Sequence, residues 1–261
     1  MSQPRGTVVS SFTIIKGALF DETHAVLQGW DFSQSRLENL RRARDENTVG
    51  AKSTHWARDV SKVLNRRFDP GGRDRPLTLL AKAGCPREIW KAILLYHMTR
   101  DEFLFRDFLV GWLYPEFIKG TFRVRGEDVM TYLRSLASRK GIQWSGKWTE
   151  STTERVASGL LHMATDFGLL VGTQVKEFTS YHLPDEAFLY LLHAIAEEAP
   201  SAQRLIQADD WKMYRMDTAD VERELLRLHQ YQKLHYEVAG SLAQLKLPCA
   251  SPAEYAEELS A

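Results

Sequence analysis

The sequence predicts an all-α fold of two helical subdomains, and three observations predict it. Apolar residues recur at three- and four-residue spacing along most of the chain, and Pro and Gly clusters punctuate the stretches between. Val, Thr, Phe and Tyr gather around a glycine only in residues 169–183, where they read as a short β-hairpin. The first subdomain, residues 1–118, is expected to carry a helix-turn-helix-like unit. The second, residues 119–261, is expected to carry a winged-helix-like unit, with the two meeting near Pro115 to Gly126.

Each element has its own signal. A short extended stretch, Ser11 to Ile15, precedes a helix from Asp21 to Gly29. The next helix runs from about Gln34 to Arg44, with Leu37, Leu40 and Ala43 facing inward. The segment 45–50 breaks it, and a third helix spans Ala51 to Phe68, with Trp56, Val60, Val63 and Leu64 on one stripe. Asp69-Pro70-Gly71-Gly72 ends that unit, since Pro and two Gly cannot extend a helix. Pro86 suits the first turn of a helix from Arg87 to Met98. Another covers Arg100 to Tyr114, stopped by Pro115. Glu127 to Lys140 follows, with Val129, Leu133 and Leu136 inward, and then Thr149 to Phe167, closed by Gly168. After the hairpin come helices from Asp185 to Glu198 and from about Thr218 to Leu245, and an acidic tail. The tail and the Gly71-Gly72 loop read as flexible.

At 261 residues, 44% hydrophobic and 26% charged, the chain has the composition of an ordinary globular protein. Cys85 and Cys249 lie far apart with no partner at metal-ligand spacing, which points to a reducing compartment. The opening MSQPRGTVVS lacks a signal-peptide pattern, and no window approaches the roughly 18 apolar residues of a spanning helix. A cytoplasmic protein that does not use a membrane is expected.

Enzyme templates find no match. Gly71-Gly72-Arg73 lacks the spacing and the Lys-Ser/Thr of a phosphate-cradling loop, and neither GxGxxG nor GxSxG occurs in a suitable setting. His229 and His235 are six apart on different helix faces, which does not suit zinc. A non-enzymatic protein without cofactor or metal is expected.

The charge distribution directs attention elsewhere. Net charge is zero, but residues 1–175 carry 26 Lys/Arg against 19 Asp/Glu, and residues 176–261 carry 8 against 15. A polyanion responds to the local field, so the basic part is the expected working face. Once the Trp56/Val60/Val63 stripe is buried, His55, Arg58, Lys62 and Arg66 share an outward face. Arg41, Arg42 and Arg44 cluster before the turn, and Lys52, Ser53 and Thr54 open the following helix, where N–H groups and hydroxyls suit phosphate. A solvated basic face beside Asp59 and Glu38 is the plain alternative. In the second unit, Lys147, Thr152, Arg155 and, in the wing, Lys176 stand where a winged helix touches a DNA backbone. Winged helices also bind proteins, so this pattern leaves both uses open.

In several segments the chain resembles the BrxA family of bacteriophage-exclusion (BREX) defence systems. They are the opening SFTIIKGALFDET, the helix HWARDVSKVLNRR, the core stretch FLFRDFL and WTESTTERVASGLL ending in DFGLL, in order up to about residue 245. The resemblance implies a small helical DNA-binding subunit of a phage-defence system that also includes a methyltransferase and an ATPase. Double-stranded DNA and those proteins are the partners it implies. Two other readings remain: an adaptor scaffolding the larger defence subunits, and an RNA-binding helical protein of the antitermination kind.

Overall fold

The computed structural model describes residues 8–136, 139, 142–144, 147–199, 201–239 and 242–260, and is mostly α-helical with a few short strands. The chain begins with β1 (Val8–Val9), α1 (Ser11–Ile15), α2 (Phe20–Gln28), α3 (Arg36–Asp45), α4 (Thr54–Arg67), α5 (Arg75–Lys82) and α6 (Arg87–Asp101). It continues through α7 (Phe103–Phe108), a π-helical turn (Leu109–Leu113), α8 (Tyr114–Ile118), β2 (Arg123–Val124), α9 (Gly126–Leu136) and β3 (Gln143–Trp144). Next come α10 (Glu150–Asp166), β4 (Leu170–Val171), β5 (Lys176–Phe178), α11 (Asp185–Ala196) and α12 (Ala202–Ile206). A 3₁₀ turn (Asp209–Tyr214), α13 (Thr218–Gln230), β6 (His235–Ala239), β7 (Leu242–Lys246) and α14 (Pro252–Leu259) complete it.

Side chains at the helix starts fix several boundaries. Ser35 and Glu38 form a reciprocal capping box at α3, Ser53 caps α4 and Thr149 caps α10, each accepting from an otherwise unpaired backbone N–H. Gly168, at φ 76°, ends α10 in the left-handed conformation that glycine adopts without strain. Strands β2, β5 and β4 make one antiparallel sheet in that order, with Arg123 and Val171 both opposite Glu177. β1 runs parallel to β3, which ties the start of the chain to its middle.

Several sequence expectations need correction. Ser11 to Ile15 is helical, not extended: the Arg67 guanidinium donates to the carbonyls of Thr13, Gly17 and Ala18, supplying partners that the end of α1 lacks. Leu37 is 67% exposed, and the buried positions of α3 are Asn39 and Leu40. Asn39 turns inward because its amide group bonds the backbone N–H and C=O of Asp31. α5, a short helix with Pro76 in its first turn, is not among the elements that the spacing predicts. Pro115 does not stop the helix before it. The preceding turn widens to π geometry, with Tyr114 N–H donating to Leu109 O, and this accommodates a residue that has no N–H.

Later in the chain, α13 ends at Gln230, and Gln232 at φ 59° turns the backbone into the β6–β7 hairpin, where a longer helix was expected. The acidic tail folds as α14, packed on α5 and α11, with Tyr255 stacked on His193 at 5.0 Å. The Gly71-Gly72 loop is tied by Asp74, whose carboxylate accepts from Asp69 N–H at 2.7 Å. The end of the helix expected to reach Lys140 lies partly outside the described residues.

One connected cluster of buried side chains runs from Val9 to Ala256, through Trp90, Phe105, Leu160, Phe188 and Trp211. Two buried polar groups cross it. Arg67 pairs with Glu102 at 3.0 Å, both out of solvent, and Thr13 donates to the same carboxylate. His97 bridges Asp74 (2.6 Å) and Tyr190 (2.7 Å). Every N–H and oxygen that these groups take into the core needs such a partner.

Candidate nucleic-acid interface

The buried face of α4 decides what its other face presents. Ala57, Val60, Val63 and Leu64 pack into the core, so Arg58, Lys62 and Arg66 are left exposed one turn apart. α3 packs against α4, and an open groove of about 400 Å³ between them is lined by Arg41, Arg44, Arg58 and Lys62, with Ser61 and Asn65. A neighbouring groove of about 650 Å³, at the turn between the helices, shares Arg44 and Arg58 and adds Lys52 and Thr54. Five of the cations predicted from sequence therefore line one continuous concave surface. The carboxylate of Asp45 lies in it, paired with Arg44 at 3.0 Å.

Other predicted residues are placed differently. Arg42 folds back along its own helix, donating to Gly29 O (2.6 Å), Asn39 Oδ1 (2.9 Å) and Gln34 Oε1 (3.2 Å). It staples α3 to the end of α2 and does not face outward with Arg41 and Arg44. Ser53 Oγ is occupied as the cap of α4, accepting from Trp56 N–H at 3.2 Å. His55 is exposed but leans toward Asp59 at 3.4 Å. Asp59 is buried and bound by Lys16 Nζ at 2.6 Å, and this hydrogen bond holds the Asp59 carboxyl below its usual range. That ion pair withdraws the nearest acid on α4 from the basic face.

The second set is sparser. Lys147 and Arg155 are exposed, with Arg155 in the second turn of α10. Thr152 belongs to the helix cap, its hydroxyl 3.0 Å from that of Thr149. Glu150 and Glu154 share the start of α10, and Glu150 pairs with Arg134 at 2.6 Å. Lys176 departs from the expectation: it is 7% exposed and donates to Gly172 O at 2.6 Å, bracing the wing from inside. Among the described residues, no hydrogen bond or ion pair joins the second set to the first. α1 mediates between their helices, through Lys16 to Asp59 of α4 and through Ile14 against Gly159 of α10.

Sequence reasoning missed Asn65, which lines the groove beside Lys62 and is the type of side chain that can read an adenine edge. Its spacing of three from Lys62 was the available signal. Asn47 lines the neighbouring groove but is committed to the turn through two hydrogen bonds with Ala51.

This geometry defines a mostly α-helical protein with an exposed cationic groove between two helices and a helix–hairpin unit beside it. The chain belongs to the BrxA family: the family model described as BrxA matches residues 11–194. Membership supports its assignment as a BREX-associated defence protein. The match ends before the region of about residue 245 to which the sequence resemblance extends. A search of curated proteins finds no match. Among the described residues, no helix is long and apolar enough to cross a membrane.

Proposed function

We propose that the protein is a non-enzymatic component of its defence system that holds duplex DNA, largely through the phosphate backbone, in the groove between α3 and α4. The observation that carries this reading is the convergence of Arg41, Arg44, Lys52, Arg58 and Lys62 on one concave surface with a single acid among them. Guanidinium and ammonium groups along a groove neutralise successive phosphates and release the counterions condensed on them, which makes binding favourable and salt-dependent. Arg66 extends the line by a turn. The α9–α10 helix pair with the β2-β5-β4 sheet supplies a winged-helix-like second contact, through Lys147 and Arg155. Asn65 gives the groove one base-reading side chain, so modest sequence preference is expected.

Reversing Arg58, Lys62 and Arg66 to Glu tests the reading, because all three are exposed and none is needed to cap or pack α4. Gel shifts at low salt should show duplex affinity reduced by at least about tenfold, with circular dichroism and melting temperature unchanged. Lys246→Glu, at an exposed position on β7, serves as the control and should bind as the parent does. Unchanged affinity in the triple variant would remove the groove from the account. Preference for structured RNA over duplex of equal length would favour the RNA-binding reading, and no nucleic-acid affinity at low salt would favour an adaptor.

A further inference from the structure

A second concave site lies on the opposite side of the sequence, where the exit of β5 meets the 3₁₀ turn and α13. It encloses about 460 Å³, within the range of small-molecule pockets, and its walls include Phe117, Tyr181, Tyr214 and Arg215. Arg215 is the unusual member. Its guanidinium sits between the rings of Phe117 and Phe178, 5.2 Å from each centroid, and donates to Thr179 O and, at 3.3 Å, to Thr179 Oγ1. Its Nε is buried without an acceptor, and among the described residues no carboxylate pairs with it. Asp220 and Glu224 also line the pocket, but they are taken by Arg223 and Arg227. Arg215 further occupies a left-handed backbone conformation, φ 59°, which a non-glycine residue adopts at some expense.

We infer that this pocket binds a small phosphate-bearing molecule with a flat ring, of the mononucleotide class, with Arg215 holding the phosphate. A guanidinium whose Nε–H lacks an acceptor and which has no counter-charge attracts an oxyanion, and the surrounding rings strengthen that attraction by limiting water. Burial already pushes the Arg215 pKa down to about 10, the direction expected when a cation is desolvated without a partner. Tyr181, backed by the buried Tyr214, provides the wall for a ring, while Ser180 and His182 supply polar groups. The inference does not rest on the duplex-binding reading, since it uses none of the residues of the α3–α4 groove.

Isothermal titration of the full chain with AMP, inorganic phosphate and adenosine tests it. AMP should bind with a sub-millimolar Kd, and phosphate alone and adenosine each at least about tenfold more weakly. Arg215→Gln should lose at least about tenfold in AMP affinity, and Arg215→Lys should recover part of it. In case Arg215→Gln destabilises the wing, ¹H–¹⁵N spectra of the unaltered protein provide an independent readout, and the Arg215 Nε–H resonance should shift on adding AMP. No AMP binding at millimolar concentration, equal affinity for phosphate and AMP, or an unmoved Nε–H resonance would overturn the assignment.

Discussion

Arg58 and Arg67 lie on the same helix and carry the same charge, yet burial gives them opposite tasks. Arg58 faces solvent in the groove, whereas Arg67 is sealed in the core against Glu102 and three backbone carbonyls. Spacing on α4 could reveal the first, because it depends only on which stripe is apolar. It could not reveal the second, because the partner of Arg67 is 35 residues away in sequence. Lys176 shows the same limit, since only the fold of the wing shows that its amine reaches Gly172 O.

His193 yields a prediction at this scale. Its Nδ1–H donates to Leu189 O at 2.7 Å, and its Nε2 accepts from Cys249 N–H at 3.2 Å, so the ring is held neutral between α11 and the segment leading to α14. Burial lowers its pKa from the ordinary 6.5, and the hydrogen bond to Leu189 O and nearby Glu254 and Glu258 offset this only in part. Below pH 6.5 the unfolded chain takes up a proton that the folded chain resists, so stability falls as pH drops from 6.5 toward the lower folded value. Above that range the group contributes no pH dependence. Thermal melts below pH 6.5 should therefore show a steeper loss for the parent protein than for His193→Gln, and parallel curves would contradict this account.

At the scale of elements, helices with a strong apolar stripe were legible, and those shaped by distant partners were not. The pair α3 and α4, with the turn between them, followed from spacing and from Ser and Gly at the breaks. The helical form of α1 depends on Arg67 of α4, and the passage through Pro115 depends on a π turn that no local propensity announces. The β6–β7 hairpin reads as helix in the sequence because a helical pattern in α13 runs directly into it, and the break at Gln232 carries no Gly or Pro.

The crossing of α1 and α10 can be tested at this scale. Gly159 allows α10 to approach α1 so closely that a Cβ there would lie 2.7 Å from Ile14 O. Because the obstacle is backbone, Gly159→Ala must push the two helices apart, despite the better helix propensity of Ala. We expect a loss of about 1–3 kcal/mol in urea denaturation, and a variant as stable as the parent would show that α1 yields freely.

Across the whole molecule, charge is partitioned as the sequence indicated, with +7 in residues 1–175 and −7 in residues 176–261. The fold refines that division. Several cations of the basic part are spent internally, in Arg42 on Gly29, Arg67 on Glu102 and Lys16 on Asp59. Among those that remain outward, Arg41, Arg44, Lys52, Arg58 and Lys62 gather where α3 meets α4. Composition could indicate which part of the chain to inspect, but only side-chain partners separate the cations that hold the fold from those free to meet a phosphate.

The most direct test of that separation is the salt dependence of duplex binding. For the parent protein, log K should fall linearly with log salt concentration, and Arg58→Gln with Lys62→Gln should make the slope shallower by about 2, close to 0.9 for each phosphate that is no longer neutralised. A slope unchanged by the two substitutions would mean that these groove cations do not meet phosphate, and the central claim would be contradicted.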